Sequence, residues 1–177
     1  MFKKIIFDKN KLFKFNKKIN GKINLSTNKI FSRNSLIDSF ESKIQFMNGN
    51  LLIDRLLLNL GKLGAADLTG VIENDEKMSN FKFESNIFID NSKRFFSKFG
   101  IYDKEKEAKN LFLAGNFDLL NFNFRINEIF HEEKMKEDDT EYIEREFNEL
   151  LLKDDYVSLF DFSKFKEFMK SIINDTN

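Results

Sequence analysis

The chain has 177 residues, 41% of them hydrophobic and 33% charged, so it is long enough to bury a core without disulfide bonds. It carries 29 basic and 29 acidic residues, and this balance excludes a global electrostatic attraction to nucleic acid. Cysteine is absent, which excludes disulfides, a thiol nucleophile and cysteine-ligated metal sites.

The charges are unevenly distributed along the chain. Residues 1–22 hold eight lysines against Asp8 alone, a sum of +7, and residues 131–161 hold twelve acidic against four basic residues, a sum of −8. The N-terminal lysines alternate with phenylalanines, which suits either an anionic membrane or single-stranded nucleic acid. The favoured interpretation is an edge strand whose lysines prevent edge-to-edge pairing. Among the functional alternatives, membrane contact is the better one.

Alternating apolar and polar residues predict antiparallel strands up to about residue 130. The segments with this pattern are GKINLS, SFESKIQFM, LLIDRLLLNL, AADLTGVIEN, NFKFESNIFID and LLNFNFRIN. Turn-forming residues separate them, notably Asn48-Gly49, Asn74-Asp75 and Asn116. Gly61, Gly64 and Gly70 are explained by a bend, a turn and a bulge or tight contact rather than by a phosphate-binding loop.

Helical spacing appears in three places. A short helix is predicted at 91–99, begun by Asp90 or Asn91 and ended by Gly100, and two more are predicted near 138–152 and 163–173. Strands followed by helices, without βαβ alternation, predict an α+β fold built on an antiparallel, curved, elongated and groove-like sheet. The sheet region covers 1–136 and a C-terminal helical cap covers 137–177, as one structural unit.

No constellation of residues predicts catalysis. His131 is the only histidine, and the acidic run around it lacks the ligand spacing of a zinc or calcium site. That run is interpreted as a solvated connector and a helix N-terminus. The sequence therefore predicts a protein without catalytic residues, metal or cofactor. The 23 phenylalanines and the absence of proline are explained by A/T-rich codons rather than by function.

The predicted sheet has more apolar surface than two short helices can cover. We therefore expect part of one face to remain open, or to be covered by another protein or by lipid. No apolar run reaches the length of a membrane-spanning helix, and MFKKIIFDKNKLF is not expected to act as a signal peptide.

The order of these features resembles the C-terminal region of AsmA-like bacterial envelope proteins, the group that includes the YhdP and TamB types. The resemblance spans residues 20–173 and depends on a strand ending in NGNL, on LLIDRLLLNLG, on the glycine-containing return after it, on NSKRFFSKFGI, and on the closing EREFNELLLKDD and FDFSKFKEFMKSI. It implies a β-groove along which phospholipids pass between membranes in outer-membrane biogenesis, and a periplasmic or cell-envelope location. Members of that family are usually longer and membrane-anchored, so further β-repeats of a larger protein are implied partners.

Two hypotheses follow from the pattern and the resemblance. The first is a lipid-handling module, with phospholipid or membrane and not nucleic acid as its partner. Its tentative lipid-facing residues are Phe40, Ile44, Phe46, Leu57, Leu68, Ile72, Phe83, Ile87, Phe122 and Phe124. The second is a structural or protein-interaction module without ligand, in which the C-terminal helices or another chain bury the same face. An enzyme is a distant third.

Overall fold

The computed structural model describes residues 14–31, 36–75, 78–102, 108–131, 133–152 and 162–174. The strands in chain order are β1 (Gly21–Thr27), β2 (Ser39–Met47), β3 (Asn50–Asn59), β4 (Gly64–Asn74), β5 (Ser79–Ile89), β6 (Asn110–Asp118), β7 (Asn123–His131) and the two-residue β8 (Glu133–Lys134). The helices are α1 (Ser92–Lys98), α2 (Glu137–Leu152) and α3 (Phe162–Asn174).

The sheet is a simple antiparallel meander. Each strand pairs with the next one in the chain, in the order β1 to β8, so the sheet is open and β1 forms one of its edges. The predicted fold class, a curved antiparallel sheet with mostly C-terminal helices, is confirmed. Residues 1–13 of the basic stretch interpreted as an edge strand lie outside the described residues, while the lysines from Lys14 onward flank or belong to β1.

The helix boundaries follow the capping chemistry expected from the sequence. Asn91 accepts a hydrogen bond from the Arg94 backbone N–H through its side-chain oxygen, at 2.9 Å, and so starts α1. Gly100, with φ of +73°, follows the end of α1. The acidic run supplies Glu137, Asp138 and Asp139 to the first turn of α2, where carboxylates favour the helix dipole.

One predicted turn is confirmed and another is wrong, and the strand predicted from LLNFNFRIN begins later, since β7 starts at Asn123. Asn48 (φ 53°) and Gly49 (φ 85°) form the two-residue turn between β2 and β3, as their sequence indicates. Asn116, by contrast, lies inside β6 and pairs with Lys82 and Arg125, so its prediction as a turn residue was wrong. Strand β6 itself was not among the predicted segments.

A β-bulge in β3 changes the phase of that strand. Lys43 of β2 pairs with Arg55, whereas its neighbour Ile44 pairs with Ile53, so Asp54 has no partner. The inserted residue reverses the alternation in the second half of the strand. Leu51 and Ile53 therefore share a face with Leu56 and Leu58 rather than with residues 55 and 57.

The core lies at the β7 side of the sheet. Helix α2 packs on β7 and on α3, and the buried cluster combines Phe95, Phe96 and Phe99 of the α1 region with residues of β7 and of both C-terminal helices. Strands β1, β2 and β3 contribute no buried apolar side chain. Burial thus decreases from β7 towards β1.

Candidate functional site

The strand register places most of the apolar residues of the seven long strands on one side of the sheet, which we call the apolar face. Opposite pairs such as Ile23 with Ile44 and Phe81 with Phe117 continue this face across the sheet. The apolar face comprises Ile23, Leu25, Phe40, Ile44, Phe46, Leu51, Ile53, Leu56, Leu58, Ala66, Leu68, Ile72, Phe81, Phe83, Ile87, Leu111, Leu113, Phe117, Phe124, Ile126 and Ile129. The other side is mostly polar, and the Lys82 Nζ to Glu73 Oε2 ion pair, at 2.8 Å, lies there.

The helices cover the β6–β7 half of the apolar face, and the core cluster that they form also reaches Ala66 of β4. Phe124, Ile126 and Ile129 of β7 are at most 8% exposed, beneath α2 and α3. The ring of Phe124 lies 5.0 Å from the Phe147 ring of α2 and 5.9 Å from the Phe168 ring of α3, measured between centroids. This half is a closed hydrophobic core.

The same face on β1 to β4, which we call the open half, is less buried: apart from Ala66, which is 8% exposed and belongs to the core, its apolar side chains are half-buried or exposed. Ile23 and Leu25 of β1 are 43% and 48% exposed. Phe40, Ile44 and Phe46 of β2 are half-buried, as are the apolar-face residues of β3. A sheet face of this breadth, lined mainly by aliphatic and aromatic side chains with Ser42 and Thr27 among them, is a surface for an apolar ligand or partner.

A row of phenylalanine rings joins the two halves. The Phe83 ring stacks on Phe81 at 5.3 Å and on Phe124 at 5.8 Å between centroids. Phe83 can occupy this position because its neighbours on both sides, Gly70 of β4 and Gly115 of β6, have no side chains. A Cβ on Gly115 would lie 3.2 Å from Phe83 Cζ and 2.6 Å from the Arg125 carbonyl oxygen. A Cβ on Gly70 would lie 2.6 Å from the Lys82 carbonyl oxygen and 2.7 Å from Phe81 Cε2, so the tight contact predicted as one alternative for Gly70 is present.

Eight of the ten residues proposed from the sequence lie on the apolar face, but Phe124 is covered there by α2 and α3 and does not face a lipid, and Leu57 and Phe122 lie outside it. Leu57 pairs with Glu41 and Asp67 on the opposite face, because the bulge at Asp54 shifts the alternation by one residue. Phe122 precedes β7 in a turn with φ of +54°, and its ring packs edge-on against Phe117 at 5.8 Å. Phe40, Ile44, Phe46, Leu68, Ile72, Phe83, Ile87 and Phe124 lie on the apolar face.

The ten residues proposed from the sequence omit the apolar-face residues of β1, β3 and β6, and also Phe81, Ile126 and Ile129. In β6 the alternation of Leu111, Leu113 and Phe117 was available in NLFLAGNFD but was not used. In β3 the run LLIDRLLLNL is apolar in both phases, so no sequence signal locates the bulge.

The two edges of the sheet are finished differently. At the β7 edge, the Asn148 side chain of α2 accepts from the Phe124 N–H and donates to the Phe124 carbonyl, both at 2.7 Å. Glu144 Oε2 accepts from the Ile126 N–H at 2.9 Å. Side chains of α2 thus take the place of a further strand. At the β1 edge, no described strand pairs beyond β1.

The polar groups of the described residues offer little for catalysis. No group of three or more histidines and carboxylates is arranged to hold a metal ion within the described ranges. His131 is half-buried at the end of β7, opposite Leu111 and Glu133. Burial disfavours ionisation of Asp118, but hydrogen bonds from the Asn121 backbone and side chain and from the Leu120 N–H outweigh it and lower the pKa of Asp118. Asp118 thereby stabilises the turn between β6 and β7.

The described helices include none with the length and apolar character required to cross a membrane. Comparisons with protein-family models, with curated proteins and with solved structures find no match to this chain.

Proposed function

We propose that the protein is a non-catalytic module that binds the acyl chains of phospholipids along the open half of its apolar face. The observation that carries this proposal is the mismatch between apolar surface and helical cover. The face is buried on β7, where Ile129 is 1% exposed, but the β1 end of the same face has Leu25 at 48%. Exposed apolar surface of this extent is typical of a binding site.

The dimensions of the open half suit acyl chains. Strands β2 to β4 have 9 to 11 residues each, which corresponds to lengths of about 31–37 Å at 3.4 Å per residue. Acyl chains of one leaflet extend about 15 Å, half of the hydrocarbon thickness of a bilayer. Each methylene transferred from water to this surface contributes about 0.8 kcal/mol, so two acyl chains gain considerable affinity without any directional contact.

The envelope context of this function comes from the sequence resemblance. Its implication is that the module belongs to the periplasm or cell envelope of a bacterium and guides phospholipids between membranes. Fractionation of cells that express the tagged protein tests the location, and recovery in the cytoplasm would remove the transport setting while leaving lipid binding to be judged separately.

A matched pair of variants in β3 tests the lipid site. Ile53 lies on the open half and pairs with Ile44 and Gly70, while the adjacent Leu52 points to the other side, and both are half-buried. We expect Ile53→Asp to remove co-purified lipid, detected by native mass spectrometry and lipid extraction, and Leu52→Asp to retain it. Circular dichroism verifies that both variants remain folded.

Two results would contradict the lipid site. One is wild-type protein that carries no lipid after purification and takes none up from vesicles. The other is equal lipid loss in the two variants, because lipid binding would then not depend on which side of the sheet carries the added charge.

The free β1 edge favours a second candidate, a structural module that another chain extends by strand addition. β1 offers seven residues, GKINLST, and no described strand pairs on its outer side. A further β-repeat of a larger envelope protein could continue the meander there. Replacement of Asn24 by proline, which cannot donate a strand hydrogen bond, would abolish such assembly while leaving lipid content unchanged.

A further inference from the structure

Basic residues accumulate at the edge of the sheet that β1 forms among the described strands. Residues 14–31, which we call the β1 edge, contain Lys14, Lys17, Lys18, Lys22 and Lys29 and no acidic residue, a sum of +5. The neighbouring residues 38–47 add two carboxylates and one lysine, which leaves +4. By contrast, α2 holds seven acidic residues and one arginine, a sum of −6. The molecule is neutral overall but strongly dipolar.

The same edge exposes apolar side chains. Ile19 is 55% exposed, Ile23 43%, Leu25 48% and Phe31 87%. Lys29 Nζ lies 4.8 Å from the centroid of the Phe31 ring, so charge and apolar surface are combined locally. Large apolar residues at such exposure, interspersed with lysines, are the composition of segments that lie in a membrane interface.

Contacts at both ends hold the β1 edge in line with the sheet. At one end the Asn48 N–H donates to Asn20 Oδ1 at 2.9 Å, and the Phe15 ring packs edge-on against Phe46 at 5.3 Å. At the other end the Ile30 N–H donates to the Asp38 carbonyl at 2.7 Å. The seven residues of β1 between them span about 23 Å. Lys14, Lys17, Lys18 and Lys22 therefore lie at or before the start of β1, and Lys29 lies past its other end.

We infer that the β1 edge docks on the surface of an anionic lipid bilayer. Each lysine near such a surface strengthens binding about fivefold, and the exposed aliphatic side chains enter the interface between headgroups and acyl chains. The acidic helix α2 lies at the opposite edge, six strand spacings or about 29 Å away. That distance is about three Debye lengths, so α2 does not cancel the attraction and instead orients the sheet with β1 towards the membrane.

A membrane fits this edge better than nucleic acid does. Three of the four exposed apolar residues of the edge, Ile19, Ile23 and Leu25, are aliphatic and offer no ring for a base to stack on. The inference rests on the proposed function, because docking would serve the uptake of lipid. The open half of the apolar face begins at the docked edge, and a lipid from the membrane would enter there.

The test is co-sedimentation of the full chain with vesicles of pure phosphatidylcholine and with vesicles in which a third of the lipid is phosphatidylglycerol. One variant replaces Lys17, Lys18, Lys22 and Lys29 by glutamine. A control of equal net charge replaces Lys62, Lys93, Lys109 and Lys136, which are also exposed but lie elsewhere. At about fivefold per lysine, we expect the edge variant to bind the anionic vesicles on the order of a hundredfold more weakly or worse, and the control to bind nearly as wild type does.

Phe31→Ser provides a second arm, since a side chain that is 87% exposed can be truncated without unfolding the core. We expect it to weaken vesicle binding several-fold. Three results would each overturn the inference. They are equal weakening in the edge variant and the control, equal binding of the wild type to both kinds of vesicle, and tighter binding of the wild type to a single-stranded oligonucleotide than to the anionic vesicles. The lipid content of the same proteins, measured by native mass spectrometry, is an independent readout. If the wild-type protein retains lipid but does not bind vesicles, docking is refuted and the lipid site stands. If it binds vesicles but retains no lipid, the lipid site is refuted and docking stands.

Discussion

Asn148 of α2 takes the place of a neighbouring strand, and its removal should have a cost typical of the core rather than of the surface. Its side-chain amide makes two 2.7 Å hydrogen bonds, one to the N–H and one to the carbonyl of Phe124. Phe124 is only 7% exposed, so water cannot readily replace these bonds. Asn148→Ala leaves a donor and an acceptor of β7 without this partner.

The magnitude follows from the two groups left unpaired. A hydrogen bond contributes about 0.5–1.5 kcal/mol net, and a buried group left unsatisfied costs about 1–3 kcal/mol, so we expect a loss of about 2–3 kcal/mol. With a urea m-value of about 2 kcal/mol per molar, the unfolding midpoint decreases by about 1 M. An unprotected β7 edge should also make the variant more prone to self-association.

The assay is urea unfolding followed by circular dichroism, with amide hydrogen exchange at Phe124 as a local readout. Asn127→Ala is the matched control, because the Asn127 side chain makes one hydrogen bond with Asn116, at 2.9 Å, in an exposed position. We expect the control to lose at most about 0.5 kcal/mol, as surface substitutions do. If Asn148→Ala loses no more than Asn127→Ala, and Phe124 exchange is unchanged, α2 does not close the sheet edge.

Three further predictions concern the sheet. Gly115→Ala places a Cβ 2.6 Å from the Arg125 carbonyl oxygen and should cost about 1–3 kcal/mol by overpacking, whereas Gly21→Ala, with no atom within 4 Å of the added Cβ, should be nearly neutral in the same thermal melts. The pKa of Asp118 is lowered in the fold, so ionised Asp118 stabilises the protein above its unfolded pKa of 3.8, and this contribution is lost as the pH decreases through the folded pKa. Asp118→Asn should therefore flatten the dependence of the unfolding free energy on pH in this acidic range. An unchanged dependence would refute the role of Asp118 in stabilising the turn. Deletion of residues 137–177 exposes the apolar side of β7 and should yield an aggregating protein, so a soluble, monomeric fragment by size-exclusion chromatography would show that the sheet folds without its cap.

The parts of the fold set by local chemistry could be predicted from the sequence. The α1 helix lies where Asn91 and Gly100 delimit it, and the β2–β3 turn lies at Asn48-Gly49, because each of these residues satisfies a backbone requirement within a few positions of itself. The fold class followed from the change of apolar period from two to 3.6 near residue 137, where α2 begins.

The assignment of residues to faces required long-range information. In β3 every position of LLIDRLLLNL except the charged pair and the asparagine is apolar, so either phase buries similar side chains and only the pairing with β2 and β4 locates the bulge at Asp54. A second register shift, between Ala114 and Gly115, moves Ile129 rather than Glu128 onto the apolar face of β7. A bulge reverses a face with a single inserted residue, which is why Leu57 was assigned to the wrong side.

The two edges of the sheet are protected in different ways, and this difference gives a chain of zero net charge one edge that attracts anionic surfaces. At the β7 edge, Asn148 and Glu144 satisfy backbone groups, and the rings of Phe147 and Phe168 seal the face beside them at 4.5 Å between centroids. None of these devices occurs at the β1 edge within the described residues, where lysines alone discourage pairing with other strands. Lysines protect such an edge from like-charged chains but attract anionic surfaces, so the same residues that keep the protein from aggregating also determine what approaches its open half.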